Sequence, residues 1–155
     1  MSINSEVETL RTIPIFRTIE PGKLRLLAFI SERITFRPGE TICTQGEPGD
    51  SAFIILSGNG EVLVDIGGEM RRVAEIKQND VVGEMALLTD MPRTATVVAD
   101  SEIAALRISK ENFFRILQEF PEVSMEMMRV LARRLERTTH DLAVVRGQLA
   151  EAGAG

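Results

Sequence analysis

The sequence predicts a mainly β protein with flanking helices, built around an eight-stranded antiparallel jelly roll. Eight short β-prone runs, separated by turn residues, lie between Ile34 and Ile108. Runs of this length and spacing are typical of sandwiches and jelly rolls. Outside this region the apolar residues recur at helical spacing, which predicts helices on both sides of the roll. A chain of 155 residues can bury such a core as one domain, without disulfides or metals.

The first predicted segment, residues 1–33, is helical. The run SEVETLRTI is closed by Pro14, since proline cannot continue a helix. Pro21 begins a second run, in which Leu24 and Leu27 lie on one helical face. Two short N-terminal helices are therefore expected ahead of the roll.

The second predicted segment, residues 34–108, is the β-roll. Its strands are the runs ITF, TICT, SAFIILS, EVLVDI, MRRVAEI, DVVG, TATVVAD and EIAALRI. Glycines at the intervening corners allow tight turns with positive φ. Between the sixth and seventh runs, the stretch EMALLTDMP is apolar but too short for a full helix, so it predicts a single helical turn.

The third predicted segment, residues 109–150, is helical again. Ser109 is the expected N-cap of a helix over KENFFRILQEF, which Pro121 ends. The following helix is far longer than the average of about 11–12 residues. It carries a heptad seam, whose residues are Met128, Leu131, Leu135, Thr138, Leu142, Val145 and Leu149. This seam either packs on the roll or pairs with a second copy in a parallel coiled coil, and we predict the homodimer.

Composition excludes several functional classes. The formal net charge is −5 and no Lys/Arg run is present, so a nucleic-acid partner is not expected. No apolar run approaches the roughly 18 residues of a membrane helix, and the N-terminus lacks a secretory signal, so no membrane insertion is expected. Cys43 is the single cysteine, which rules out an intrachain disulfide and predicts a cytoplasmic location.

Catalytic and metal-binding patterns are also missing from the sequence. Cys43 and His140 are the only thiol and imidazole, and they lie far apart, so neither a metal site nor a metal cofactor is predicted. The motifs GxSxG, GxxxxGK[ST] and HExxH do not occur. The sequence therefore predicts a protein that is not an enzyme.

Two charged residues interrupt the apolar stretch VVGEMALLTDMPRTATVV. Glu84 follows Gly83, and Arg93 follows Pro92. A helical turn starting at Glu84 would point its first backbone amides at an anion, and a guanidinium offers a planar fork for phosphate oxygens. A carboxylate cannot bind that phosphate, but it can accept a hydrogen bond from a hydroxyl. One alternative is a small ligand with one phosphate and an adjacent sugar hydroxyl; the other is a plain Glu84–Arg93 ion pair.

At this point the sequence resembles a known family. The stretch GEMALLTDMPRTATV is similar to the phosphate-binding cassette of cyclic nucleotide-binding domains. Three flanking stretches are similar to the same family's helices and early strands: PIFRTIEPGKLRLLA, RPGETICTQGEPGDSAFIILSG and PEVSMEMMRVLARRLERT. The resemblance covers most of residues 8 to 145 in one order.

The resemblance implies roles for the cassette, residues 82–95. The acid after the glycine, Glu84, is expected to accept the ribose 2′-hydroxyl, and Arg93 to pair with the cyclic phosphate. Backbone amides and Thr94 are expected to complete the phosphate contacts. The predicted ligand-binding residues are Gly83, Glu84, Met85, Ala86, Arg93, Thr94 and Ala95. The ligand is cyclic AMP or cyclic GMP, with cyclic AMP preferred, and no cofactor is expected.

Contacts to the base are left open by the sequence. Val62 and Val64 are one candidate pair for the apolar wall, and Val81 and Val82 are another. Three side chains of the last helix are candidates to reach the base: Arg134, Arg137 and His140. The resemblance implies that this helix moves as a lid about a joint near Gln118–Val123.

The function implied is that of a cyclic nucleotide sensor or regulatory domain. The expected partners are the nucleotide, a second copy of the chain and a downstream effector of unspecified kind. Since the chain stops at Gly155, a DNA-binding domain of the kind found in the family's transcription factors is not expected. The alternatives are a regulatory fragment of a larger channel, kinase or transcription regulator, and a structural dimer with a vestigial pocket.

Overall fold

Eight strands and five α-helices form the part of the chain, residues 3–154, that the computed structural model describes. The strands are β1 Glu32–Phe36, β2 Thr41–Cys43, β3 Ser51–Ser57, β4 Gly60–Ile66, β5 Glu69–Ile76, β6 Val81–Val82, β7 Thr96–Ala99 and β8 Ile103–Ser109. The helices are α1 Ile3–Arg11, α2 Pro21–Ile30, α3 Glu84–Thr89, α4 Lys110–Glu119 and α5 Pro121–Ala154, with a 3₁₀ turn at Pro14–Phe16.

The strands pair into two four-stranded antiparallel sheets. The first sheet has the order β1-β8-β3-β6, and the second has the order β2-β7-β4-β5. With helices on its flanks and one long helix at the C-terminal end, this arrangement confirms the predicted fold class. The predicted single turn after the sixth strand is the short helix α3.

Seven of the eight strands differ from the predicted runs by one or two residues at their ends, as β1 and β6 illustrate. β1 begins at Glu32 rather than Ile34, because pairing with β8 continues through Glu32 opposite Arg107. β6 contains only Val81 and Val82, because the chain turns away at Gly83. Both differences arise from backbone pairing, to which side-chain patterning is insensitive at strand ends.

The strand β3 of the first sheet is buried on both of its faces. Along β3, Ala52, Ile54 and Leu56 belong to the cluster that the flanking helices cover. The alternate residues Phe53 and Ile55 belong to the cluster between the two sheets. Because successive strand residues point to opposite faces, a strand covered on both sides must be apolar throughout. This accounts for the run AFIIL.

Side-chain hydrogen bonds hold the start of α4 and the junction between α4 and α5. The hydroxyl of Ser109 accepts a hydrogen bond from the Asn112 N–H at 3.2 Å, which confirms the predicted N-cap of α4. Pro121 is the first residue of α5, and the Ser124 hydroxyl donates to the Leu117 carbonyl at 2.7 Å across the junction. The chain therefore changes helix at a defined point, next to the roll.

Replacement of Ser109 by alanine is expected to lower the free energy of unfolding by about 0.5–2 kcal/mol, because the Asn112 N–H loses its acceptor. Urea denaturation of the two proteins would measure this difference. Ser109→Asp is the matched control, since aspartate keeps an acceptor at the N-cap and should retain most of the stability. Equal stability of Ser109→Ala and the unmodified chain would contradict this role for the hydroxyl.

Candidate functional site

The backbone turns sharply at Gly83, between β6 and α3. Gly83 has φ of +87° and is the N-cap residue of α3. A Cβ atom at this position would lie 2.5 Å from Nη1 of Arg93. Both the left-handed conformation and the close approach of the guanidinium require glycine. The Gly-Glu dipeptide therefore sets the position of Glu84 and leaves space for Arg93.

Arg93 is buried, with 8% of its surface exposed. Its Nη1 donates to the Gly83 carbonyl at 3.2 Å, and its Nη2 donates to the Ser51 carbonyl at 2.8 Å. These two acceptors orient the guanidinium plane but carry no net charge. The positive charge therefore remains available to an anion in the adjoining cavity.

The loop between β2 and β3 holds the backbone of Arg93. The Arg93 N–H donates to the Glu47 carbonyl at 2.8 Å, and the Gly46 N–H donates to the Arg93 carbonyl at 2.8 Å. The guanidinium is thus fixed at both ends, through its backbone and through its nitrogen atoms. A side chain held in this way needs little further ordering when it binds a ligand.

The carboxylate of Asp50 lies beside the guanidinium of Arg93. Asp50 Oδ1 is 3.8 Å from Arg93 Nη2, and Asp50 Oδ2 is 3.7 Å from Arg107 Nη2. The Asp50 side chain is 78% exposed, so solvent screens its attraction for either arginine. We conclude that Asp50 neutralises Arg93 only weakly.

Glu84 is buried, with 3% of its surface exposed. Its Oε1 accepts a hydrogen bond from Nη1 of Arg134, which lies on α5. Nη2 of Arg134 approaches the Val81 carbonyl at 3.4 Å. Within residues 3–154 no ion pair joins Glu84 to Arg93. The alternative of a plain Glu84–Arg93 pair, raised by the sequence, is therefore not what the structure contains.

A cavity of about 790 Å³ opens in front of these residues. All seven residues predicted as ligand-binding line it: Gly83, Glu84, Met85, Ala86, Arg93, Thr94 and Ala95. The opposite wall is α5, which contributes Arg134, Arg137, Thr138 and Asp141. The carboxylate of Glu84 and the guanidinium of Arg93 thus lie on one wall of the cavity, and α5 lies across from them. The space between is large enough for a mononucleotide.

Of the residues predicted to contact the base, some line the cavity and others do not. Val62, Val81 and Val82 line the cavity, whereas Val64 lies outside its lining. On α5, Arg134 and Arg137 reach it and His140 does not. The reason is helical phase, because Arg134, Arg137 and Thr138 lie within one helical face and His140 lies on another.

Ten lining residues were not among the contacts that the sequence predicted: Cys43, Val73, Ala74, Glu75, Ile76, Lys77, Asp80, Val97, Thr138 and Asp141. Val73 reaches the cavity because β5 bulges: Val62 pairs with Ala74 but Leu63 pairs with Arg72, which leaves Val73 as an extra residue. Such a bulge redirects a side chain, and no glycine in MRRVAEI marks it. Nothing in the sequence distinguished Asp141 from other exposed helix residues. Thr138 was distinguishable, because it is the polar residue that interrupts the heptad seam.

Cys43 also lines the cavity, at its closed end. Burial raises the pKa of its thiol to about 11, against the opposing effect of the nearby Arg93 charge. The thiol is therefore neutral at physiological pH. It adds an apolar surface and leaves the charge of Arg93 uncompensated.

Within residues 3–154, no group of three or more histidine, cysteine, aspartate or glutamate side chains is placed to hold a metal ion. None of the helices in that range combines the length and apolarity that crossing a bilayer requires.

Sequence comparison relates this architecture to known proteins. The family model for the cyclic nucleotide-binding domain matches residues 33–120. A CRP-like cAMP-activated global transcriptional regulator of Mycobacterium tuberculosis is 33% identical over 144 residues, covering 88% of this chain and 61% of that protein. A cAMP-dependent protein kinase regulatory subunit of Yarrowia lipolytica is 36% identical over 108 residues, covering 70% of this chain and 28% of that protein.

Structural comparison agrees. The crystal structure of the Thermus thermophilus catabolite activator protein is similar with a TM-score of 0.77 and 26% identity, covering 85% of this chain and 62% of the other. The chain thus spans about three-fifths of the length of the two bacterial regulators, and about a quarter of the kinase subunit. From the match over residues 33–120, and from the jelly roll with its cassette, the chain belongs to the cyclic nucleotide-binding domain family.

Proposed function

We propose that this chain is a regulatory domain that binds a 3′,5′-cyclic nucleotide, with cyclic AMP preferred to cyclic GMP. One observation carries the proposal: a buried arginine and a buried glutamate lie on one wall of an open cavity without pairing with each other. Buried charges are costly unless they are compensated. Arg134 already pairs with Glu84, so Arg93 is the buried charge without a close buried counterion. A ligand phosphate would supply that counterion, and a neighbouring ligand hydroxyl would donate to Glu84.

The cyclic phosphate is assigned to Arg93. Two of its five N–H groups are used by the Gly83 and Ser51 carbonyls. The cavity adjoins the guanidinium, the first turn of α3 and Thr94. The N–H groups of a first helical turn have no intrahelical acceptors and favour an anion. Met85, Ala86 and Ala95 are assigned backbone contacts with the same phosphate.

The ribose 2′-hydroxyl is assigned to Glu84. A carboxylate has two oxygen atoms with several lone pairs, and the hydrogen bond from Arg134 uses only one oxygen. The second oxygen can accept from a sugar hydroxyl. Glu84 would then join the ligand to α5 through Arg134, so that one buried carboxylate links the nucleotide to the helix across the cavity.

The relatives support cyclic AMP as the preferred nucleotide. The mycobacterial relative is named as cAMP-activated, and the yeast relative as part of a cAMP-dependent kinase. Both nucleotides share the phosphate and the ribose, so Arg93 and Glu84 cannot distinguish them. The base must be read by other residues, among which Thr94 is the polar group of the cassette that lines the cavity.

The same cavity supports a sensor role. Its wall offers an arginine, a glutamate and the first turn of α3 as contacts for a phosphodiester. The matched proteins carry regulatory names.

The neutral, unpaired thiol of Cys43 supports a cytoplasmic location, where thiols stay reduced. The effector regulated is assigned no identity, and nucleic acid is not proposed as a direct partner of this domain.

We also propose a homodimer through α5. The first positions of successive heptads in the seam are Met128, Leu135, Leu142 and Leu149, with exposures of 58, 68, 50 and 67%. The roll therefore leaves this stripe uncovered, although Val123 and Met127 on the same helix are buried against it. A stripe with a seven-residue repeat matches the packing of a two-stranded coiled coil.

Movement of α5 is the proposed output. The helix is attached to the cassette by the Arg134–Glu84 pair, and it begins at Pro121, where the helical path is interrupted. A ligand that changes the partners of Glu84 changes the stability of that attachment. It can shift the position of α5 only to the extent that it binds the two positions with different affinity.

The variant Arg93→Lys is expected to bind cyclic AMP about 10- to 150-fold more weakly, because a fork of donors is replaced by a single ammonium. Isothermal calorimetry would measure both dissociation constants. Arg107→Lys is the matched control, since Arg107 also pairs with Asp50 but does not line the cavity. An unchanged dissociation constant for Arg93→Lys would remove the phosphate from this residue.

Competition between the two nucleotides tests the preferred ligand. Cyclic AMP is expected to displace a bound fluorescent cyclic nucleotide at lower concentration than cyclic GMP. Thr94→Ala should weaken cyclic GMP more than cyclic AMP, because the hydroxyl can meet the 2-amino group of a syn guanine. Thr94→Ser keeps the hydroxyl and serves as control. Tighter binding of cyclic GMP would reverse the proposed preference, and displacement by neither nucleotide would contradict the site.

Fluorescence energy transfer tests the movement of α5. Dyes would be attached to cysteines introduced at Met91, in the exposed cassette loop, and at Arg133, on the exposed face of α5. Saturating cyclic AMP is expected to change the transfer efficiency within one copy, measured with labelled chain diluted into unlabelled chain. A pair at Met91 and Glu102, both on the roll, is the control. Equal efficiency with and without nucleotide in the α5 pair would contradict the movement.

A further inference from the structure

The first turn of α2 contains a cation where helix electrostatics favours an anion. Pro21, Gly22 and Lys23 begin this helix, and its first turn has no acidic residue. The amino end of a helix carries a partial positive charge, so a lysine there is unfavourable. The side chain of Lys23 is nevertheless only 40% exposed. A residue that breaks a local rule in this way is expected to make a compensating contact elsewhere.

The compensating contacts of Lys23 lie at the junction between α4 and α5. Its Nζ is 3.4 Å from Oε1 of Glu122, the second residue of α5. The same Nζ is 5.5 Å from the ring centroid of Phe120, the residue between the two helices. A carboxylate and an aromatic face both attract a cation. One ammonium group thus contacts the chain on each side of Pro121, and we call this set of contacts the Lys23 bridge.

Glu122 is well placed to be the anionic partner. It lies in the first turn of α5, where the helix end favours a carboxylate. A hydrogen bond from its own backbone N–H lowers the pKa of the carboxyl, and Lys23 lowers it further against an opposing effect of desolvation. Glu122 is therefore ionised at neutral pH, and the Lys23 bridge is a contact between opposite charges.

The helix α2 is attached to α4 at its other end as well. Nδ2 of Asn112, in the first turn of α4, donates to the carbonyl of Ile30, the last residue of α2, at 3.3 Å. The two helices therefore lie side by side in opposite directions. Between these two attachments Leu24 and Leu27 are fully buried. This anchoring makes α2 a fixed support from which Lys23 reaches the junction.

Packing between the junction and the roll is incomplete. A second cavity, of about 20 Å³, lies there, and its lining is wholly apolar. Phe113 and Ile116 contribute to it from α4, and Val123 and Met127 from α5. Side chains that face a void lose the attraction of the atoms that would fill it. The start of α5 is therefore held less tightly on its roll side, which gives the Lys23 bridge more influence on its position.

We propose that Lys23 is a positioning residue for the nucleotide site. Its ammonium bridges Phe120 and Glu122 and thereby holds the start of α5. In this position of the helix, Arg134 reaches Glu84 and α5 forms one wall of the nucleotide cavity. Loss of the bridge releases α5 and removes that wall. The inference rests on the nucleotide site proposed above and adds its regulation by the N-terminal helices.

Energy transfer in the absence of nucleotide tests the bridge alone, with the dyes at Met91 and Arg133 used above. Lys23→Met should lower the transfer efficiency, because α5 leaves the cassette. An exposed ion pair and a cation–π contact together favour the bridged position by about 3- to 30-fold. Lys23→Arg keeps a cation and should retain the original efficiency. Arg25→Met, which removes the same charge from an exposed position of α2, is the matched control. Equal efficiency in Lys23→Met and the unmodified chain would overturn the proposal.

A double-variant cycle tests whether the two charged residues act through one contact. Glu122→Gln should lower the transfer efficiency by less than Lys23→Met does, because the contact with the Phe120 ring remains. Lys23→Met/Glu122→Gln should match Lys23→Met alone, since the same bridge cannot be lost twice. Additive effects of the two changes would show that the residues act separately, and would overturn the bridge.

Filling the apolar cavity should offset the loss of the bridge. Val123→Ile adds one methyl group to the cavity lining, and the new contacts should hold the start of α5 against the roll. In the Lys23→Met chain this change is expected to restore part of the transfer efficiency. Thermal melting of each variant would establish that it is folded at the temperature of the measurement. An efficiency that stays low in Lys23→Met/Val123→Ile would contradict the part assigned to the cavity.

Calorimetry tests the connection to the nucleotide. Lys23→Met should bind cyclic AMP about 2- to 10-fold more weakly, because apparent affinity falls with the fraction of the chain whose α5 walls the cavity. Lys23→Arg and Arg25→Met should bind as the unmodified chain does. Lowered transfer efficiency with unchanged affinity would overturn the positioning role. Failure of the unmodified chain to bind cyclic AMP would contradict the proposed function, whereas the energy transfer without nucleotide would still decide on the bridge.

Discussion

The site depends on one buried guanidinium that is held without being neutralised. Arg93 is fixed by two carbonyls, from Gly83 and Ser51, and by two backbone hydrogen bonds with the β2–β3 loop. Carbonyl acceptors orient a cation but leave its charge in place, whereas a buried carboxylate would have cancelled it. This arrangement requires the turn at Gly83, the approach of β3 at Ser51 and the position of the β2–β3 loop. Three separate parts of the roll therefore hold this one charge at the edge of the cavity.

Packing connects that charge to the helices. Leu87, on α3, is buried in the same cluster as Phe120, Val123 and Met127, which lie at the junction of α4 with α5. Val82, two residues before Glu84, belongs instead to the cluster between the sheets. The cassette is therefore anchored on the rigid roll at its start and on the helical layer at its end. Tightly packed groups transmit small displacements, so this shared cluster is a route by which a shift of α3 could reach the helix junction.

The sequence predicted the strands, the short cassette helix and the lining role of seven residues because each has a local signal: alternating or continuous apolar runs, a glycine before an acid, a proline before an arginine. Contacts between distant segments carried no such signal. Val73 enters the cavity through a bulge that depends on the register of β5 against β4. Glu84 pairs with Arg134, fifty positions away, rather than with Arg93. His140 was a candidate only because it is a polar residue on the right helix, and helical phase excludes it.

One part of α5 contacts the roll, and another carries the proposed dimer seam. Both surfaces limit how far the helix could move when a ligand binds. Near its start it is held by buried Val123 and Met127, then by Arg134 at Glu84, and residues 135–153 are exposed. Beyond the packed start of α5, its attachment to the roll is therefore the contact of a half-exposed arginine with a buried carboxylate. To reverse a 1:99 population, a ligand needs about 5.5 kcal/mol of differential affinity. A single contact at Glu84 supplies less than that. The proposed response of α5 would therefore draw on the junction packing and on the proposed dimer seam together.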